Sequence, residues 1–140
     1  MCGIEFFLGT SKPHLNVLGE AFKTTFRDKK LVAHRGPDHS ALVQPTDFPN
    51  LVWGFRRRMI QGLDVGSNEP LTLYLVSDEG KSSVITLVCN GEIYNHCQLK
   101  KDHPEWDIKT RNDCEVILHL YVTYGIHGTL ERLDGEFAFI

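Results

Sequence analysis

Apolar positions along this chain come in two spacings, and the spacing changes at a few glycines, prolines and asparagines. Residues 3–8 (GIEFFL) are apolar and aromatic enough for a strand, which the run Gly9-Thr10-Ser11-Lys12-Pro13 breaks. Leu15, Leu18, Phe22 and Phe26 then recur at steps of three and four, a single stripe of a helix over 15–26 that reads as core packing. SALVQ, LVWGFRRRM, LTLYLVS and SSVITLVC read as strands, with PTDFPN, GLDVGSNEP and DEGK as the turns between them. After NGEIYN, Val116, Ile117, Leu120, Tyr121 and Tyr124 keep helical spacing over 112–124, with Asn112 positioned as a cap and Gly125 as the stop. The chain passes HGTLERLDG and closes on EFAFI, a strand-like apolar tail. Short strands in succession, flanked by two helices, predict an α+β fold with antiparallel sheets.

Composition narrows the class. At 140 residues, 41% of them hydrophobic, the chain fits one compact domain over 1–140, large enough to bury roughly two-thirds of its unfolded surface. A net charge of −3 gives no electrostatic reason to expect nucleic acid or an anionic membrane as partner; a small metabolite or another protein fits better. The sequence has neither a signal-like start nor a run of about 18 apolar residues, so the expected location is cytoplasmic. The four cysteines, Cys2, Cys89, Cys97 and Cys114, are irregularly spaced without a C-x-x-C pair, which argues against a disulfide framework or a zinc ribbon. The seven histidines form no H-x-x-x-H pair, and no metal is assigned.

Candidate chemistry begins at MCGI. Methionine is removed from a new chain when the next residue is small, which would make Cys2 the N-terminus, with a thiol and an α-amine on one carbon. Their unperturbed pKa values, ~8.5 and ~7.7–8.0, are both near neutral. The neutral amine can take the thiol proton directly or through water, so one residue would supply nucleophile and base. Gly3 would leave room for the turn that presents it. Taken alone, MC reads rather as a strand start with a small buried hydrophobe.

Four further stretches change that balance: AHRGPD at 33–38, FRRRM at 55–59, CNGEIYN at 89–95 and NDCEVI at 112–117. In this order after MCGI, and with LDGEFAF following, they closely resemble the glutamine-hydrolysing domain of asparagine synthetases, a class II amidotransferase domain with an N-terminal cysteine nucleophile. The resemblance covers essentially the whole chain. It implies the four-layer αββα sandwich of N-terminal-nucleophile hydrolases, with two stacked antiparallel sheets. The implied reaction is hydrolysis of the glutamine side-chain amide to glutamate and ammonia through a Cys2 γ-glutamyl thioester.

The same resemblance distributes roles. The Asn90 side-chain amide and the Gly91 N–H would receive the developing oxyanion; the competing reading of Asn90-Gly91 is a tight hairpin turn. An arginine would clamp the substrate carboxylate. Where the family reads something like His-Arg-Leu this chain has Arg56-Arg57-Arg58, so Arg58, followed by apolar Met59 and Ile60, is the first choice and Arg57 the second. Strand alternation puts the two on opposite faces, and a solvated basic strand remains the alternative for at least one. Glu92 and Asp113 would hold the substrate ammonium, although Asp113 is also explained by a favourable position in the first helical turn. Arg35 and Gly36 match a loop near the nucleophile, and backbone groups of Ile60, Gln61 and Gly62 would line the pocket. Glu69-Pro70 stands where the family has Gln-Pro, which predicts an added negative charge at the pocket rim.

By the same resemblance the C-terminal part of the domain and the synthetase domain are absent. ATP and magnesium would belong to that absent domain, so no cofactor is expected in this chain. The expected partners are glutamine and a synthetase partner chain or a second copy in a homodimer, with an unpaired sheet edge and the apolar FAF segment left to cover. The alternative function is a truncated, non-catalytic relative that binds glutamine or a partner protein.

Overall fold

The computed structural model describes residues 2–8, 12–27, 35–45, 48 and 50–140, and the chain divides into two compact units, Met1–Met59 and Ile60–Ile140. The expected break at Gly9–Ser11, the Ala33-His34 part of one motif, and positions 46, 47 and 49 of PTDFPN lie outside the described residues, as do the side chains of His14, Leu15 and Leu18.

The first unit holds β1 (Gly3–Leu8), α1 (Lys12–Arg27), β2 (His39–Val43) and β3 (Leu51–Arg57). Its sheet has the order β1-β3-β2, with both neighbours antiparallel to β3. Helix α1 begins three residues ahead of the expected stripe and takes Pro13 into its first turn, where a missing N–H costs nothing. The central strand is a near-continuous apolar run, and Val52, Trp53 and Phe55 are buried. Such a run suits a strand covered on both faces. Phe26 is buried at the end of the α1 stripe. Its ring lies under the Arg56 guanidinium, 4.6 Å from centroid to Cζ, and its carbonyl accepts a hydrogen bond from Arg56 Nη2.

The second unit holds the hairpin β4 (Leu71–Val76) and β5 (Ser82–Leu87), then β6 (Cys89–Ile93), α2 (His96–Asp102), α3 (Glu115–Arg132) and β7 (Gly135–Phe139). β4 pairs with β5 and β6 with β7, both antiparallel. Leu71, Leu87, Cys89, Ile93, Leu99, Cys114, Val116, Ile117, Leu118 and Leu120 form the buried cluster, and Phe137 and Phe139 of the FAF segment pack against it. The fold is therefore α+β with antiparallel sheets.

Several expectations are corrected. SSVITLVC is not one strand: Val88 separates β5 from β6, so Cys89 opens the next strand. Asn90-Gly91 is not a hairpin turn, because both residues sit inside β6 opposite Ala138 and Phe137. Asn112 is not the cap of the long helix; Cys114 holds that position, and the Asn112 Oδ1 accepts from the Cys114 N–H at 2.9 Å just ahead of it. Asp113 consequently precedes the helix rather than lying in its first turn. Helix α2 had no counterpart in the apolar pattern, since only Leu99 of its seven residues is buried.

Gly125 ends the first of two helical stretches within α3, as the sequence predicts. At φ 66° and ψ −178° it adopts backbone geometry that is essentially restricted to glycine, and helical residues resume to Arg132. A Cβ at Gly125 would meet nothing within 4 Å, so the requirement is conformational and not steric. Gly125→Ala is expected to destabilise the fold by about 1–3 kcal/mol, read as a lower urea midpoint with unchanged slope.

Candidate active site

Cys2 lies immediately before β1, with its thiol held against the backbone of Arg58. The Arg58 N–H donates to Cys2 Sγ at 3.3 Å, and Sγ lies 3.6 Å from the Arg58 carbonyl. Arg35 Nη2 donates to the Cys2 carbonyl at 3.5 Å. Gly3 is not part of a turn: it is the first residue of β1, and a Cβ there would stand 3.3 Å from Arg35 Cβ. The missing side chain makes room for Arg35.

Asp38 braces this arrangement, a role the motif alone did not reveal. Its N–H donates to the Arg57 carbonyl at 3.1 Å, and its Oδ2 accepts from the Met59 N–H at 2.8 Å. Asp38 therefore holds both sides of the Arg58 peptide that touches the thiol.

Register separates the three arginines. Gly3 faces Arg56 across the β1–β3 pair, and continuing by one residue sets Cys2 opposite Arg57. Directly opposed residues of an antiparallel pair point to the same face. Arg56, on the other face, is occupied with Phe26 of α1. Arg57 shares the Cys2 face and is 3% exposed, whereas Arg58 follows the strand and its side chain is exposed.

In the second unit, β6 carries Asn90, Gly91 and Glu92. Val88 and Ile140 exchange two hydrogen bonds, and the Tyr94 N–H donates to the Asp134 carbonyl. Because bonded pairs alternate along an antiparallel ladder, Asn90 and Glu92 bond to β7, while the N–H groups of Cys89, Gly91 and Ile93 point to the open edge. Two of these three have carboxylate acceptors: Glu69 Oε2 accepts from Cys89 at 2.6 Å and Asp113 Oδ2 from Ile93 at 2.6 Å. Between them no acceptor among the described residues meets the Gly91 N–H, and its carbonyl lies 3.9 Å from Cys114 Sγ. The side chains of Cys89 and Ile93 enter the core, so Asn90 and Glu92 occupy the other face, where Glu92 stands opposite Glu136.

Glu69 is not at a rim. It is 4% exposed, and besides the Cys89 N–H its other oxygen accepts from Asn112 Nδ2 at 3.4 Å. Asn112 Nδ2 also donates to the Ser67 carbonyl at 3.0 Å. The expected pocket-lining residues Ile60, Gln61 and Gly62 open this unit, with Ile60 largely exposed and Gly62 at φ 59°.

The remaining thiols do not suit nucleophilic work equally. A hydrogen bond with Cys89, followed by burial, pushes the Cys114 thiol far above its ordinary range. Burial lowers the His119 pKa, and its Nε2 is a buried nitrogen with no hydrogen-bond partner among the described residues. Among the described residues no group of three His, Cys, Asp or Glu side chains could hold a metal ion, and no helix is long and apolar enough to cross a membrane.

Comparison with known proteins gives a consistent set of relatives. The profile of a family described as a glutamine amidotransferase domain matches residues 1–140. The chain is 36% identical over 140 residues to asparagine synthetase [glutamine-hydrolyzing] 1 of Arabidopsis thaliana, 38% to the asparagine synthetase of Asparagus officinalis and 37% to that of Homo sapiens. Each match takes in 100% of this chain but only 21% or 22% of the relative. The chain thus spans about a fifth of the length of the curated relatives it matches.

Proposed function

Because the chain belongs to the glutamine amidotransferase domain family, we propose that it hydrolyses the side-chain amide of glutamine, with Cys2 as nucleophile. The observation that carries this reading is the thiol bracketed by the Arg58 backbone; within the other unit by itself, the Gly91 N–H on β6 has no acceptor among the described residues. With Met1 removed, the α-amine of Cys2 takes the thiol proton as Sγ attacks the amide carbon, and returns it to the departing ammonia. The tetrahedral intermediate places charge on the amide oxygen, for which the Gly91 N–H and the Asn90 side-chain amide are the donors. Water then cleaves the γ-glutamyl thioester to glutamate and restores the thiol.

Recognition of the free amino acid falls to charged groups. Arg57, buried and on the Cys2 face, is the better clamp for the α-carboxylate than Arg58, whose contribution is its backbone. Glu92 and Asp113 are assigned to the α-ammonium. Glu92 facing Glu136 supports this assignment, since like charges directly opposite across a ladder are unfavourable and a cation relieves them. The architecture that the family resemblance implies for this chemistry is the four-layer αββα sandwich; within each unit by itself, α1 packs on β1 and α3 packs on β4 and β5. Transfer of the ammonia to an acceptor through a synthetase partner, with ATP and magnesium there, belongs to the same proposal.

The full-length protein with Met1 removed is expected to release glutamate and ammonia in equal amounts from glutamine; absence of release ends the proposal. Within that assay Arg57→Ala is expected to raise KM about tenfold to a hundredfold, the loss of a charge-assisted bidentate contact. Arg58→Ala is expected to leave KM within about twofold, because an exposed side chain beyond the strand contributes little. The reverse order would return the clamp to Arg58.

A further inference from the structure

We infer that Glu69 is a positioning residue that fixes the direction of the Gly91 N–H, an inference that rests on the glutaminase reading for its catalytic meaning. Three N–H groups point from the open edge of β6, and the two outer ones are tied to carboxylates, Cys89 to Glu69 at 2.6 Å and Ile93 to Asp113 at 2.6 Å. A strand held at both ends of a five-residue span cannot roll about its own axis, so the middle N–H keeps one direction. The two clamps share an anchor. Asn112 Nδ2 bonds Glu69 Oε1 at 3.4 Å and the Ser67 carbonyl at 3.0 Å, while its Oδ1 takes the Cys114 N–H at 2.9 Å. Asp113 is the next residue in the chain, so a single loop sets the spacing of both carboxylates.

The residue type matters here. Cys89 is 2% exposed, so without Glu69 its N–H has no water to turn to, and the strand end must shift to find an acceptor. A carboxylate can accept on both oxygens from two donors, the Cys89 N–H and the Asn112 amide. Glutamine at this position offers one accepting oxygen to Cys89 and turns its own NH2 toward Asn112 Nδ2. Asn112 cannot flip in response, because its oxygen and nitrogen are both already committed.

The test compares Glu69→Ala and Glu69→Gln with wild type as full-length protein lacking Met1. Glu69→Ala is expected to lower kcat about tenfold to a hundredfold, the cost of misplacing an oxyanion donor, with KM for glutamine within about twofold. Glu69→Gln keeps the acceptor for Cys89 and is expected to recover kcat to within about fivefold. Amide hydrogen exchange and NMR supply a readout independent of turnover: in Glu69→Ala the Cys89 amide loses protection and the Gly91 amide resonance moves, while β4–β5 amides stay protected. Wild-type kcat together with an unmoved Gly91 resonance in Glu69→Ala overturns the inference. So does uniform loss of protection in both variants, which marks a purely structural role. If wild type itself releases no glutamate, the glutaminase reading fails while the Gly91 resonance still decides the positioning.

Discussion

Cys2→Ala is expected to reduce glutamate release by on the order of 10⁴-fold or more, because removing a covalent nucleophile takes away the step that other groups only assist. The variant should fold, since Cys2 is only half-buried and stands ahead of β1 rather than in a core cluster. A far-ultraviolet spectrum and melting temperature matching wild type would establish that. Cys97→Ala is the matched control: Cys97 is an exposed thiol on α2 beside His96, and its replacement is expected to leave turnover within about twofold, as for surface substitutions generally. Cys89 and Cys114 are unsuitable as controls because both are buried in the second unit.

Gly91→Ala keeps the N–H but displaces it with the strand, and is expected to lower kcat by up to about 10²–10³-fold, the usual effect of losing one oxyanion donor, and to lower stability as well. A Cβ at residue 91 would overlap the Glu136 carbonyl oxygen and come within 2.5 Å of Phe137 Cα. The β6–β7 pair must spread to admit it, an overpacking cost of about 1–3 kcal/mol. Asn90→Ala removes the other proposed donor without that clash, so it should reproduce much of the kcat loss with a smaller shift in melting temperature. Equal turnover in Gly91→Ala and wild type, with the amide resonance of residue 91 displaced, would remove that N–H from the mechanism.

The strands were readable because each is a run of apolar and β-branched residues closed by a turn signal. β1 to β5 and β7 fall within a residue or two of expectation. Helix α2 was not readable: seven residues with only Leu99 buried carry no stripe to detect. Gly125 was readable as the end of a helical stretch, but the second stretch that follows it to Arg132 was not, because its apolar residues Ile126 and Leu130 stay exposed and form no buried stripe. The site was legible as motifs but not as contacts. The role of Asp38 within HRGPD is not legible in the sequence, because its partners are backbone groups of Arg57 and Met59. Glu69 looked like a surplus charge before a proline, because nothing local announces that the buried Cys89 N–H needs an acceptor 20 residues away. Alternation separated Arg57 from Arg58, but deciding which of them faces Cys2 required the pairing of β1 with β3.

In the proposed reaction Cys2 attacks the carbon at the end of the glutamine side chain. A glutamine analogue with a diazoketone in place of the carboxamide tests it directly. Protonation and attack by Sγ form a carbon–sulfur bond and expel dinitrogen, leaving a mass gain equal to the analogue less N2. Intact mass and peptide mapping of the full-length protein, with Met1 removed, are expected to locate one adduct per chain on Cys2. Excess glutamine should block it and Cys2→Ala should eliminate it. No adduct in folded protein, or one that maps to Cys97 and persists in Cys2→Ala, would contradict the account.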